Sequence, residues 1–302
     1  MQSAAMFVAV VVLLALFSQV TAHAASKPHT HTHSQVKVGG GDASVAFLAV
    51  GDWGGIPIPP YTTPGQRDSA KGMDLVAGQL QADFFLALGD NFYFSGVEES
   101  TSNRFNGTFQ NTYTGTNLMK PWYLIAGNHD HKGNVQAQID YTELDGTGRW
   151  NYPALYHSHS FTDATSAVTV DVILLDTVDL CSMSDVMHEN EPGYFDTLPL
   201  RTKGQAAEDG AQWAWLEQQL RGSTADHILV GGHFPVYSVC EHGNTPTLIE
   251  HLKPLLEQYN AHYMHGHDHC MSHMKETGST VNYILTGMGD TCCYEASNKE
   301  NI

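Results

Sequence analysis

Basic residues are scarce in this 302-residue chain: 14 Lys and Arg face 32 Asp and Glu, a formal charge of −18. A field of that sign repels phosphate polymers and anionic lipid, which argues against a general nucleic-acid binder or a polybasic membrane attachment. Any phosphate bound here needs a local reversal of that sign. Cysteine is scarce as well. Cys181, Cys240, Cys270, Cys292 and Cys293 are too few and too irregularly spaced for a disulfide-built scaffold. Long hydrophobic runs are confined to the N-terminus, so no second membrane span is expected further along.

Histidine is abundant by contrast, with 18 residues, and a hydrophobic share of 42% is enough for a sizeable core. The N-terminus carries an unbroken apolar run, Met6 to Phe17, followed by Ala22-His23-Ala24. The run is shorter than the ~20 residues of a membrane span and fits a signal peptide over residues 1–24 with a small-x-small cleavage site. The mature protein is then expected in a secretory, lysosomal or vacuolar, or extracellular space, without stable membrane association. Residues 25–43, with His-Thr-His-Thr-His and a Gly39-Gly40-Gly41 run, read as a flexible leader. Asn106-Gly107-Thr108 is a glycosylation sequon.

From Ser44 to the C-terminus, residues 44–302 read as one domain built on a single theme. Short Val/Ile/Leu/Phe/Ala segments run into polar loops: VAFLAVGDWGG, FFLALGDNFY, WYLIAGNHDH, VTVDVILLDTV, HILVGGHFPV, AHYMHGHDHC and NYILTGMGD. Continuous rather than alternating apolarity predicts strands covered on both faces. Helical patterns lie between several of them: KGMDLVAGQLQ, AQWAWLEQQLRG, and TLIEHLKPLLEQYN with a bend at Pro254. The fold class is therefore α/β, its sheets buried between helices, with ligands expected outside the carboxyl ends of the strands. Ser184 to Gly210 has no period and reads as a long surface loop, a candidate lid.

Five strand ends carry metal-capable side chains: Asp52; Asp90 and Tyr93; Asn128 and His129; His233; His267 and His269. One Gly-Asp or Gly-His pair after a strand is ordinarily a turn. Five in succession at the same end of a sheet are hard to produce by turn chemistry. The mixture of Asp, Asn and His suits first-row metals rather than structural zinc or calcium.

With these motifs, and with LALGDNFYFSGVEE, PWYLIAGNHDHKGNVQAQIDY and VGGHFPVYSVCEHG, the chain resembles the dinuclear metallophosphoesterases. Within them it resembles the purple acid phosphatases of the mammalian tartrate-resistant type 5, over roughly Val45 to Gly289. Many members of the superfamily begin with Asp-x-His; here Gly54 stands at the histidine's place, and Tyr93 is the phenolate that can fill the gap. The resemblance implies two mixed β-sheets packed together and flanked by helices, a four-layer sandwich, here without the last C-terminal strands. It implies that Asp52, Asp90, Tyr93 and His269 hold Fe(III). Asp90 then bridges to a divalent ion, iron, zinc or manganese, held by Asn128, His233 and His267. The implied activity is that of a secreted acid phosphatase, hydrolysing phosphate monoesters by in-line attack of a metal-bound hydroxide.

His129 and His242 match positions that contact phosphate, either one protonating the leaving alkoxide, with Asp130 placed to orient His129. His131, His265 and His273 are taken as structural or incidental. In the family a disulfide often joins the Cys181 position to one after Glu-His-Gly, where Thr247 stands here. Cys181 with Cys240 is the first pairing expected, with others open; Cys292-Cys293 is left open as free thiols, a bridge or mispaired. Cys270 departs from the family's polar residue and bears on that wall of the pocket. Substrates are expected to be small phosphomonoesters or phosphoproteins, and the chain a monomer. Cys-x5-Arg and Arg-His-Gly patterns are absent, which removes the cysteinyl-phosphate and phosphohistidine routes. Two other readings stand beside this one. The first is a phosphodiesterase or phosphoprotein phosphatase on the same centre; the second is a non-hydrolytic secreted iron-binding or redox protein.

Overall fold

The computed structural model describes residues 34–38, 45–181 and 206–301. The signal-peptide reading, the rest of the leader and most of the candidate lid lie outside the described residues. Two sheets form the frame. The smaller has the order β2-β3-β4-β5, from Phe47–Val50, Phe84–Leu88, Trp122–Ile125 and Trp150–Asn151, all parallel. The larger has the order β1-β6-β7-β8-β9-β11-β10. Its strands are β1 (Ser34–Val38), β6 (His157–Asp163), β7 (Thr169–Leu174), β8 (His227–Gly231), β9 (His262–His265), β10 (Met271–Met274) and β11 (Tyr283–Thr286).

Alternation within each apolar run sorts the side chains into three layers. Phe47, Phe84, Leu86, Leu88 and Ile125 of the small sheet meet Phe161, Val172, Leu174, Leu229, Met264 and Ile284 of the large one. Phe84 stacks on Phe161 with centroids 3.9 Å apart. The other face of the small sheet, Leu48, Val50, Phe85, Ala87 and Leu124, packs on helix α1 (Pro64–Leu80) and an aromatic group around Trp53, Trp122 and Trp150. The other face of the large sheet packs on α3 (Thr177–Leu180), α4 (Ala206–Gly222) and α5 (Lys253–Tyr259), while α2 (Val135–Leu144) joins the aromatic group beyond the small sheet. Strands covered on both faces explain the unbroken apolar runs.

The helices differ from expectation at their ends. α1 begins seven residues earlier than its apolar pattern, because Thr63 accepts the Gln66 N–H and Pro64 sits in the first turn, where it loses no hydrogen bond. The bend expected at Pro254 is a change of winding: a π-turn over Leu248–Leu252 gives way to α5 just ahead of that proline. The last five residues of the candidate lid, 206–210, belong to α4. Residues 34–38, inside the stretch read as a leader, pair in parallel with β6 and use backbone groups that an edge strand would leave open. Among the described residues no strand follows β11, and β10 is the edge of the large sheet.

β6 also places a histidine pair in the interior. His157 Nε2 lies 2.9 Å from the Leu124 carbonyl, which can only accept, so Nε2 carries the proton and Nδ1 accepts from His159 Nε2 at 2.8 Å. Burial pushes the His157 imidazole down to about 4, against the pull of the Leu124 carbonyl. The unfolded chain takes up this proton near ~6.5, so the stabilising contribution is full above that pH and is lost progressively as pH falls toward the folded value. The loss is bounded at about 3 kcal/mol. A His157→Gln variant should show a flatter dependence of melting temperature on pH between these limits than the parent; parallel profiles would refute the assignment.

Candidate metal centre

The loops after β2, β3, β4, β8 and β9 converge where the two sheets end together. At Gly51 an added Cβ would stand 2.9 Å from Gly266 Cα, so the ends of β2 and β9 touch backbone to backbone. Asp52, Asp90 and His267 are all left-handed, with φ of 58°, 51° and 75°. Such a turn costs energy in any residue but Gly, and it aims each side chain back across the strand ends.

Seven side chains meet there in two groups. In the first, the Tyr93 hydroxyl is 2.8 Å from His269 Nε2 and 3.2 Å from Asp52 Oδ1, and His269 Nε2 is 3.5 Å from the same Asp52 oxygen. Asp52 Oδ2 is turned away to accept the His267 N–H at 2.8 Å. In the second, Asn128 Oδ1 lies 3.0 Å from His233 Nε2 and 3.1 Å from His267 Nδ1. Asp90 stands between the groups, its Oδ1 3.5 Å from His233 Nε2, and shares a cluster of potential ligand atoms with Asp52 and His233.

The donor chemistry fits a pair of cations. His233 Nδ1 points at the Leu88 carbonyl, 2.8 Å away, while Nε2 points at the Asn128 oxygen. Without a cation both nitrogens face acceptors, and the ring must carry two protons; with one, Nε2 offers its lone pair. Burial, then Asp52 and Asp90, hold the Tyr93 phenol well above its ordinary range. Only a strongly charged cation can draw that proton off. Burial would raise Asp90 too, but His233 and His129 outweigh it and hold the carboxyl below the usual range. The first group is rich in anionic oxygen and suits a hard, more highly charged ion. The second is neutral and suits a divalent one.

Gly54 explains why a tyrosine serves. A Cβ there would come within 2.6 Å of Tyr93 N and 2.7 Å of Asp90 O and Phe92 N. The backbone that delivers Tyr93 occupies the space a side chain at position 54 would need. The two loops are stitched by the Tyr93 N–H to the Gly54 carbonyl, 3.2 Å. Arg104 bonds the Gly54 and Gly96 carbonyls at 2.8 and 3.0 Å.

The remaining expected residues fall on either side. His129 packs edge-on to Tyr93, and its Nδ1 is 2.7 Å from the Phe94 carbonyl, which turns Nε2 toward Asp90 at 3.9 Å. The ring of His242 lies on that of His267 at 4.2 Å. Asp130 is a correction: it is not what orients the His129 ring. Its fully buried carboxylate accepts from the backbone N–H of Asn91, Phe92 and Gly127 and from Gln138 Nε2, at 2.8 to 3.1 Å. It ties the loop after β3 to the loop after β4. Burial and Asp90 still push it up to about 6.

The cysteines also depart from expectation. Cys240 pairs with Cys270, and Cys292 with Cys293, while Cys181 stands outside both bridges, buried in the cluster beside α4. The Cys270 departure is thus half of a bridge. His131 is not incidental, since its Nε2 is 2.7 Å from the fully buried Asp176. His265 is buried and His273 meets Asn282, as befits structural residues. Asp268, Tyr294 and Asn298 were not anticipated. Asp268 had a signal, being an acid between two candidate ligands. Tyr294 and Asn298 lie in a tail without periodicity and had none.

Comparison with known proteins agrees with this geometry. A family profile described as calcineurin-like phosphoesterase matches residues 45–271. Human tartrate-resistant acid phosphatase type 5 is 40% identical over 83% of this chain and 74% of its own length. Purple acid phosphatase 17 of Arabidopsis thaliana is 30% identical over 82% and 69%. Among solved structures, GAP50, described as the anchor in the inner membrane complex of Plasmodium, shares the fold. Its TM-score is 0.66 at 24% identity, over 81% of this chain and 72% of that one. The chain belongs to the calcineurin-like phosphoesterases and, within them, to the purple acid phosphatases related to the tartrate-resistant type 5 enzymes.

Gly54→Ala should force the two loops apart, lowering stability by about 1–3 kcal/mol and metal content per chain by at least half. Elemental analysis and thermal unfolding of the purified variant test this; parent-like values in both would refute the steric account.

Proposed function

We propose that this protein is an acid phosphatase acting on phosphate monoesters, small molecules or phosphoproteins, at a dinuclear centre. The observation that carries the reading is the sorting of seven donors into one trio with a carboxylate and a phenol, Asp52, Tyr93 and His269, and a neutral trio, Asn128, His233 and His267, with Asp90 between them. Asp52, Asp90, Tyr93 and His269 would hold Fe(III); Asn128, His233 and His267, with Asp90, would hold a divalent iron, zinc or manganese. When bound, the metals supply the positive charge that the acidic chain lacks and the means of activating water for in-line attack at phosphorus.

The chain's own residues do the rest. His129, edge-on to Tyr93, and His242, on the ring of His267, bind the phosphate oxygens. His129 Nδ1 is held by the Phe94 carbonyl at 2.7 Å with Lys132 Nζ 3.3 Å away, which directs Nε2 at Asp90 within the centre. Protonation of the leaving alkoxide is therefore assigned to His242, whose ring lies on that of His267. Secretion is supported by the N-terminal apolar run and by two disulfides, which persist in oxidising compartments. Among the described residues no helix is long and apolar enough to cross a membrane. Asn106 of the sequon is exposed.

The visible spectrum of the purified, unreduced protein tests the centre. A broad band giving a purple or pink solution, absent from Tyr93→Phe, is expected; a colourless, folded, metal-loaded protein would remove Tyr93 from the ferric site. His129→Ala and His242→Ala should each lower kcat/KM on a monoester by ~10²-fold or more. Turnover of a diester without a monoester would move the protein to the phosphodiesterases.

A further inference from the structure

The wall of the centre that carries His242 has no strand or helix to hold it. Ser238 to Gly243 runs as irregular chain after β8, yet it must keep one ring in register with two ligands on another loop. Three sets of contacts do this. The Asp268 carboxylate, between His267 and His269, accepts the His242 N–H at 2.9 Å and the Ser238 hydroxyl. The Cys240–Cys270 disulfide joins the same two loops covalently. The chain beyond β11 then folds back over both. Tyr294 N–H bonds the His269 carbonyl at 2.9 Å, and its ring stacks on His269 at 4.6 Å and 2° and meets His242 edge-on at 5.5 Å. Asn298 N–H bonds the Val239 carbonyl at 2.9 Å, and its side-chain amide reaches the Cys240 and Glu241 carbonyls at 2.5 and 3.1 Å.

We propose that the Cys240–Cys270 disulfide and the C-terminal segment Tyr294–Asn298 form a clamp that positions His242 over the centre, making Cys240, Cys270 and Asn298 positioning residues for leaving-group protonation. The inference rests on the phosphatase reading and on His242 as the proton donor. A ring displaced by even ~1 Å loses most of its advantage as a general acid. An ester whose leaving group is stable as an anion has little need of that proton. The clamp therefore governs turnover of alkyl phosphates far more than of aryl phosphates with acidic phenols, a split that simple loss of stability does not produce.

The test compares glycerol 2-phosphate with p-nitrophenyl phosphate in the full-length, metal-loaded protein and in Asn298→Ala, the Cys240→Ala/Cys270→Ala double variant and His242→Ala, singly and combined. The clamp variants should lose about tenfold in kcat on the alkyl ester, with KM and the aryl ester changed less than about twofold, and should add no loss to His242→Ala. Should the double cysteine variant fail to accumulate, Asn298→Ala carries the comparison with the disulfide intact. Disulfide mapping of the unreduced parent should link Cys240 to Cys270 and leave Cys181 out of that link. Equal losses on both esters, no loss, losses that multiply with His242→Ala, or a Cys181–Cys240 link would overturn the clamp. A His242→Ala variant that keeps full alkyl-ester turnover would instead overturn the proton-donor assignment itself, and the clamp variants are then measured against no acid at all.

Discussion

The constraint on which the rest depends is the mutual repulsion of Asp52, Asp90 and Tyr93. Three acidic groups buried at the ends of adjoining strands cannot all ionise in a low-dielectric interior unless positive charge stands among them. Among the described residues Lys132 Nζ reaches the ring of His129, at 3.3 Å, and the Arg104 guanidinium is spent on the Gly54 and Gly96 carbonyls. Histidines and metal ions are what remain. This reconciles a protein of formal charge −18 with a site for phosphate, because the reversal of sign is confined to the few ångströms around the centre.

Gathering such groups requires that their loops be held by something other than their own attraction. Each loop after a strand is fixed by backbone groups of another. Asp130 collects three N–H donors from two loops, Asp52 fixes the turn before His267, and Asp268 fixes the segment carrying His242. Asp130 and Asp268, behind the ligands, thus act as structural acceptors, as does the Asp52 oxygen turned toward His267, and hydrogen bonds to charged acceptors are the stronger kind. The left-handed turns at Asp52, Asp90 and His267 persist for the same reason: the surrounding bonds over-determine them.

The sequence made the seven apolar strands and the donor-bearing loops legible, because both-face burial removes polar residues from the strands and leaves them at the ends. Strand β6 was not legible. His157-Ser158-His159-Ser160-Phe161 alternates, but with histidine in two of its inward positions, and the bond to Leu124, the pairing of the two rings and the contact of His159 with Tyr123 make them tolerable inside. The start of α1 was hidden because its first turn is set by Thr63 and Pro64 rather than by apolar spacing. Asp130 was misread because adjacency along the chain suggested contact with His129, whereas the turn sends its carboxylate inward. The disulfide partners were not legible either: five irregularly spaced cysteines leave the pairing open, and burial of Cys181 beside α4 with the neighbouring loops of Cys240 and Cys270 decides it.

The two sides of the centre are therefore built by different means. On the side of β2, β3 and β4 the loops leave a parallel sheet buried on both faces and are braced by Arg104, Asp130 and Gln138, all inside the core. On the side of His242 the backing is thin: the hydrophobic cluster there consists of Cys240, Cys270 and Leu285, with Val239 and Tyr294 against it. So small a cluster buries too little apolar surface to hold a loop by packing. A covalent bridge, a buried carboxylate and a returning tail replace the missing core, and they do so beside His242, the proposed proton donor. The C-terminal segment, which adds no strand to the sheet, gains its role from that deficit.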